Sequence, residues 1–121
     1  MAGMDCNTGR WIKGRAHLAQ SVTILFATPI GTRVQRRSYG CDDRYLIDRP
    51  MSENEIARAV FAVADALDKW QARLNLTFVD IADATVGGVL GLRMAYTERL
   101  RAWRGDRTVT NAEASTEVLP L

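Results

Sequence analysis

The 121-residue chain is 47% hydrophobic and 25% charged, which suits one globular domain around one core and excludes a chain disordered through its middle. Its apolar runs are short, as at residues 22–27 before Pro29, well under the roughly 20 residues of a membrane helix. The net charge is only +2, yet all 16 basic residues except Lys13 and Lys69 are Arg, a bias produced either by a GC-rich genome or by interface use, where Arg is enriched and Lys depleted.

In chain order, residues 1–14 read as an extended N-terminal arm, with a turn signal at Asn7-Thr8-Gly9 and a short apolar pair at Trp11-Ile12. Residues 16–27 predict a helix, because Leu18, Val22 and Leu25 recur at helical spacing. Thr28-Pro29 ends it, since a residue before proline is driven out of the helical region. Residues 30–40 read as a strand or extended loop, and residues 41–50 as a connecting loop anchored by Tyr45, Leu46 and Ile47.

The second helix carries the strongest start signal. Ser52 stands as N-cap with Glu55 three residues on, a capping box, and Met51 and Ile56 are spaced for a hydrophobic staple. Ile56, Val60, Val63, Leu67, Trp70 and Leu74 form one apolar stripe, and Asp65 and Lys69 form an i,i+4 pair. Phe61 lies off the stripe, either packed under the first helix or free for a partner. Strands follow: Leu74, Leu76 and Phe78 alternate, then Val79 and Ile81 change face, which predicts a bulge. Gly87-Gly88 predicts a hairpin turn, and Leu90, Leu92, Met94 and Tyr96 alternate along the return strand. A third strand at residues 107–110 is allowed by Gly105-Asp106, whereas residues 111–121 are polar and read as a loose C-terminal tail. The expected architecture is α+β, two helices packed on a small antiparallel β-meander, in a single domain over residues 1–110.

Chemistry has no visible seat in this sequence. Asp42-Asp43 lies among polar loop residues, and Glu53 and Glu55 are explained by the helix start and its dipole. The lone histidine, His17, is one turn from Ser21, but nothing signposts an acid to orient it or an oxyanion hole. Cys6 and Cys41 are too far apart in sequence, and too few, for a zinc site or a disulfide framework. Gly87, Gly88 and Gly91 lack the strand-to-helix context of a phosphate loop. No catalytic, cofactor-binding or metal-binding residue is therefore assigned. No basic segment leads into an apolar core at the N-terminus, so a secretory signal is not expected. Two basic-aromatic strips, Arg33, Arg36, Arg37 and Tyr39, and Arg99, Arg101, Trp103, Arg104 and Arg107, fit acidic protein partners or, as the alternative, a nucleic-acid-binding accessory.

One ordered set of motifs goes further. His17-Leu18-Ala19-Gln20-Ser21-Val22 precedes Thr28-Pro29-Ile30-Gly31-Thr32-Arg33-Val34, then Arg36-Arg37-Ser38-Tyr39-Gly40, Leu46-Ile47-Asp48-Arg49-Pro50, a helix, and Trp70-Gln71-Ala72-Arg73-Leu74. With Gly3-Met4-Asp5 and Thr8-Gly9-Arg10 ahead of them, these motifs resemble the contractile-tail baseplate wedge family, in the branch found in P2-like phages. The family also includes the sheath-initiating wedge subunits of phage, tailocin and secretion-system baseplates.

The resemblance implies a small structural protein of the tail baseplate, assembled in the host cytoplasm, with no enzyme activity and no cofactor. It implies docking to larger wedge proteins near the central spike and tube, and a platform for starting the tail sheath. Membrane and nucleic acid are not expected partners. The family typically carries Glu-Pro-Arg after the long helix; here Gln71-Ala72-Arg73 keeps only the Arg, which is expected to face outward. The expected protein interface is thus Trp70, Gln71, Arg73, Arg33, Arg36, Arg37, Tyr39 and Phe61.

Overall fold

The structure, a computed structural model, describes residues 2–42, 52–84, 90–99, 101–106, 108 and 111–120. Short strands β1 (Ala2–Met4) and β2 (Trp11–Lys13) form an antiparallel hairpin. Helix α1 (Arg15–Phe26) follows, then an irregular loop and helix α2 (Glu53–Trp70). Strands β3 (Leu74–Ala84), β4 (Leu90–Glu98) and β5 (Asn111–Pro120) form an antiparallel sheet in the order β3-β4-β5, with a 3-10 turn at Ala102–Arg104 between the last two. This is the expected α+β arrangement of helices on a meander.

Two termini depart from the sequence reading. The N-terminal arm is not extended but folds back on itself. The Asp5 carboxylate accepts hydrogen bonds from Asn7 N (3.2 Å) and Thr8 Oγ1 (2.5 Å), and Gly9 takes a φ of 69° that closes the turn. Three-residue strands are too short to show an alternation, so only the turn was legible. The tail read as loose is strand β5, registered on β4 from Gly91↔Pro120 to Glu98↔Asn111. Backbone pairing holds it: β5 satisfies the N–H and C=O groups along the β4 edge, a gain that needs no apolar side-chain pattern.

The helices form for the reasons their sequences give. Gly14, with a φ of 61°, precedes α1, and Leu18, Val22, Leu25 and Phe26 line its buried face. Thr28 Oγ1 donates to Ile24 O (2.6 Å) as the helix ends ahead of Pro29. On α2, Ala59, Val63, Ala66 and Leu67 are buried, while Glu53 and Glu55 in the first turn and Lys69 in the last complement the dipole. The Asp65–Lys69 pair forms at 2.6 Å on the exposed face.

Ser52 occupies the N-cap with extended backbone, but its side chain makes no capping hydrogen bond. The capping box is therefore not closed; Glu55 instead pairs with Arg58 one turn on, at 3.7 Å. Met51, the other half of the expected staple, lies outside the described residues, as do Tyr45, Leu46, Ile47 and the Gly87-Gly88 turn. Without a cap bond to lose, Ser52→Ala is expected to change the unfolding free energy by no more than about 0.5 kcal/mol in a denaturant titration, less than the ~1 kcal/mol of a working cap.

The core joins α1 and α2 to the sheet through Leu25, Val63, Leu67, Leu74, Met94 and Tyr96, with Cys41 of the loop fully buried among them. The face change expected in β3 is present. Its register with β4 shifts between Leu76 and Phe78, leaving Leu74 buried and Val79 packed on the core while Phe78 points to solvent.

Candidate functional site

The structure divides the eight expected interface residues between two places. Gln71 and Arg73 sit where the end of α2 passes into β3, against α1. Gln71 is not a surface group: only 5% of it is exposed, and its Nε2 donates to Ser21 Oγ. Arg73 does not face freely outward either. It is half-buried, and its Nη1 lies 3.0 Å from His17 Nδ1.

A guanidinium only donates, so His17 accepts through Nδ1 and is neutral, with its proton on Nε2. Both contacts join one face of α1, where His17 and Ser21 are one turn apart, to the turn after α2. Ala72 and Arg73 form that turn, which Leu74 N closes by donating to Gln71 O at 3.0 Å. The pairs 17–73 and 21–71 meet in antiparallel order.

Around this pair, Glu98 at the end of β4 takes Arg15 Nε at 3.3 Å. Arg99 follows Glu98 and ties the start of β3 to the end of β4, its N donating to Arg73 O (2.8 Å) and its Nη2 to Asn75 Oδ1 (2.6 Å). Burial lowers the Arg73 pKa from its ordinary value, and the Glu98 carboxylate opposes that. The N-terminal hairpin closes the other side. A Cβ on Gly3 would fall 2.2 Å from the His17 ring, and Gln20 Nε2 donates to Met4 O (3.2 Å). Gly3 is thus required by the close approach of the hairpin to His17.

Desolvation, then the Arg73 charge, lowers the His17 pKa below 6.5. The folded state therefore binds less proton at His17 than the unfolded state does in the window below pH 6.5, so this site loses stabilisation as pH falls through that window. The expected result is an unfolding free energy that declines as the solution is acidified from pH 7 toward 5. His17→Asn, which offers a nearby oxygen acceptor that does not titrate, is expected to flatten that dependence in paired pH-dependent denaturation curves.

The second place is the loop of residues 30–42 and the outer face of α2. Tyr39 packs on Trp70 with ring centroids 5.1 Å apart and planes at 59°, and the Arg33 guanidinium lies 4.2 Å from the Tyr39 centroid. Arg36 and Arg37 are exposed on the same loop, which closes on itself through Gly31 N to Arg37 O (2.8 Å). Phe61 is 79% exposed, which resolves its two readings: it does not pack under α1. It borders a cleft of about 530 Å³ between the loop and α2, whose floor includes Ala62, Ala66 and Trp70.

Neither place is arranged for catalysis by a serine–histidine pair, because His17 and Ser21 are each engaged by a residue of the α2–β3 junction instead. What the site offers is a half-buried, fixed cation at the α2–β3 junction and, separately, a cleft lined by Phe61, Ala62, Ala66 and Trp70 with charges of both signs at Asp42, Arg58, Asp65 and Lys69.

Comparison with known proteins decides what this architecture belongs to. Residues 13–101 match the model of the family described as baseplate wedge protein gp25. The chain belongs to that family. Baseplate protein W of Escherichia phage P2 is 32% identical over 80 residues, covering 66% of this chain and 70% of the phage protein. In the post-contraction baseplate of pyocin R2, a subunit superposes with a TM-score of 0.70 at 33% identity, over 82% of this chain and 99% of its own. A Geobacter sulfurreducens protein provisionally called a tail lysozyme superposes with a TM-score of 0.69 over 91% of this chain and 93% of its own. At 22% identity it shares the fold, and its name brings no activity to this chain. As a baseplate wedge protein, the chain is a structural component of a contractile tail particle, assembled with other baseplate proteins.

Proposed function

We propose that this wedge protein docks the larger wedge subunits beside the central spike and tube, provides the platform on which the tail sheath begins to assemble, and has no catalytic activity of its own. The observation that carries the reading is Arg73. It stands at the position of the Arg in the family's Glu-Pro-Arg motif, and four elements converge on it: His17 from α1, the end of α2, the start of β3, and Glu98 from β4. A cation fixed in this way loses little further freedom when a carboxylate or a helix-end carbonyl binds it. Gln71 contributes from inside, through Ser21, by holding the turn that presents Arg73.

The nucleic-acid alternative is disfavoured by Tyr39. Its ring is flanked by Arg33 and Trp70, so it is already engaged within the protein rather than offered as a stacking platform for a base.

The test is co-expression with the larger wedge proteins and the sheath protein of the same particle, followed by affinity recovery. The wedge proteins are expected to co-purify with the wild-type chain, and sheath to polymerise only on baseplates that contain it. Recovery of the chain alone, beside baseplates that assemble and bear sheath without it, would sink the reading. Release of sugar from cell-wall substrate above a buffer control would remove its non-catalytic part.

A further inference from the structure

We infer that the loop of residues 31–38 is itself a docking element, and that an acidic segment of another baseplate protein lies across its arginines. The inference rests on the baseplate reading but uses none of the residues at the Arg73 junction and nothing of the cleft beside α2. Its first support is that the loop is fixed without being buried. Gly31 N donates to Arg37 O at 2.8 Å, Tyr39 N to Arg36 O at 3.1 Å, and Thr32 Oγ1 to Pro29 O at 2.7 Å. At the base of the loop, Cys41 N donates to Thr28 O at 3.1 Å. Yet residues 31–38 are all exposed. A segment held in one shape while facing solvent loses little further freedom when a partner covers it.

Charge selects the occupant, and the charges belong to the loop itself. Arg33, Arg36 and Arg37 stand on it, and no residue from 31 to 38 is acidic. From residue 6 to residue 41 the chain has no Asp or Glu at all, against Arg10, Lys13, Arg15 and the three loop arginines. At the two ends of that stretch, Asp5 is engaged by Asn7 and Thr8, and Asp42 lines the cleft beside α2. Among the described residues, no carboxylate lies within ion-pair distance of the three loop guanidinium groups. Like charges gathered without a counter-charge repel one another in the free chain, and carboxylates set among them relieve that repulsion and fix register. Arg33 is the positioned member, 4.2 Å from the centroid of a Tyr39 ring that packs in turn on Trp70. Val34 follows it and is 85% exposed. Alone it would mean little; beside planar guanidinium groups that match carboxylates, it suits a protein segment, which supplies apolar atoms where a phosphate backbone does not.

The experiment uses the scarcity of lysine, since the whole chain has only Lys13 and Lys69 outside its arginines. Arg36→Lys and Arg37→Lys, made singly in the full chain, each place one new amine on the loop. Particles assembled with each variant are purified and treated with a water-soluble carbodiimide, which joins an amine to a carboxylate in contact with it. Linked peptides are sequenced, with particles carrying the unaltered chain as reference. The expected link runs from the new amine to an Asp or Glu side chain of a different baseplate protein. In parallel, the joint variant Arg36→Glu, Arg37→Glu is co-expressed with the unaltered chain. It is expected to be depleted at least fivefold relative to that chain in purified particles, with a denaturant midpoint no lower, because both side chains are exposed.

If particles contain the lysine variants but the new amines link to nothing, only within the chain, or to a second copy, the assignment is overturned while the baseplate reading stands. Links that appear only after nuclease digestion would make nucleic acid the occupant and overturn it too. Equal incorporation of the charge-reversed and unaltered chains overturns the proposed chemistry of the partner. If the unaltered chain is itself absent from particles, the baseplate reading falls, and this inference with it.

Discussion

Gly40→Ala is expected to destabilise the domain by about 3 kcal/mol or more, the largest single loss among the substitutions considered. Two costs combine. Gly40 has a φ of 135°, a region that L side chains rarely adopt, at a cost of roughly 1–3 kcal/mol. A Cβ there would also lie 2.2 Å from Thr28 O and 3.1 Å from Ile30 N. Both are backbone atoms and cannot swing aside, so relief requires the loop to move, adding about 1–3 kcal/mol of overpacking.

The move would be felt on both sides of Gly40. Cys41, whose N donates to Thr28 O at 3.1 Å, is fully buried in the core, and Tyr39 packs on Trp70. Loss of near-ultraviolet circular dichroism from that aromatic pair is therefore expected alongside the drop in denaturant midpoint. Gly31→Ala is the control. Its φ is 91° with nothing within 4 Å of the added Cβ, so it bears the conformational cost alone and is expected to lose about half as much. Equal, small losses at both positions would show that the Tyr39-Gly40 motif does not pin the loop against the end of α1.

This glycine illustrates what the sequence makes legible. The Tyr39-Gly40 pair was visible as part of a family motif, but the reason for it, a backbone crossing at Thr28, exists only in three dimensions. Helix α2 was legible because its apolar stripe is long and repeats without interruption. The β3 bulge was legible because an alternation that changes phase requires one. Strand β5 was not, since its residues carry no period and its place comes from backbone pairing to β4. The site divided in the same way. Phe61 was marked by lying off a clear stripe, whereas Gln71 and Arg73 lie 50 and 56 residues from the α1 groups they meet. The i,i+4 pair His17 and Ser21 was the available signal. Read alone, it suggested a possible nucleophile pair; read with the Gln71 and Arg73 contacts it makes, it indicates a helix face built to hold a turn.

Arg73→Ala is expected to weaken capture of the larger wedge proteins at least thirtyfold, about 2 kcal/mol, the loss typical of an interface hot spot. It is also expected to lower the stability of the isolated chain, by about 1 kcal/mol, since the half-buried guanidinium makes a real contact with His17 Nδ1 at 3.0 Å. The two effects separate because they depend on different parts of the side chain. Arg73→Lys keeps a charge beside Glu98 but not the planar fork, so it should recover stability more fully than binding. His17→Asn should disturb binding less than Arg73→Ala does, because the guanidinium remains and retains a neutral acceptor near the Nδ1 position. Titration of each variant against the purified wedge partner, beside its denaturation curve, gives both quantities. Stability lost in Arg73→Ala with wedge affinity unchanged would make Arg73 an internal strut, its contact with His17 serving the fold alone, and would move the docking contact elsewhere on the domain.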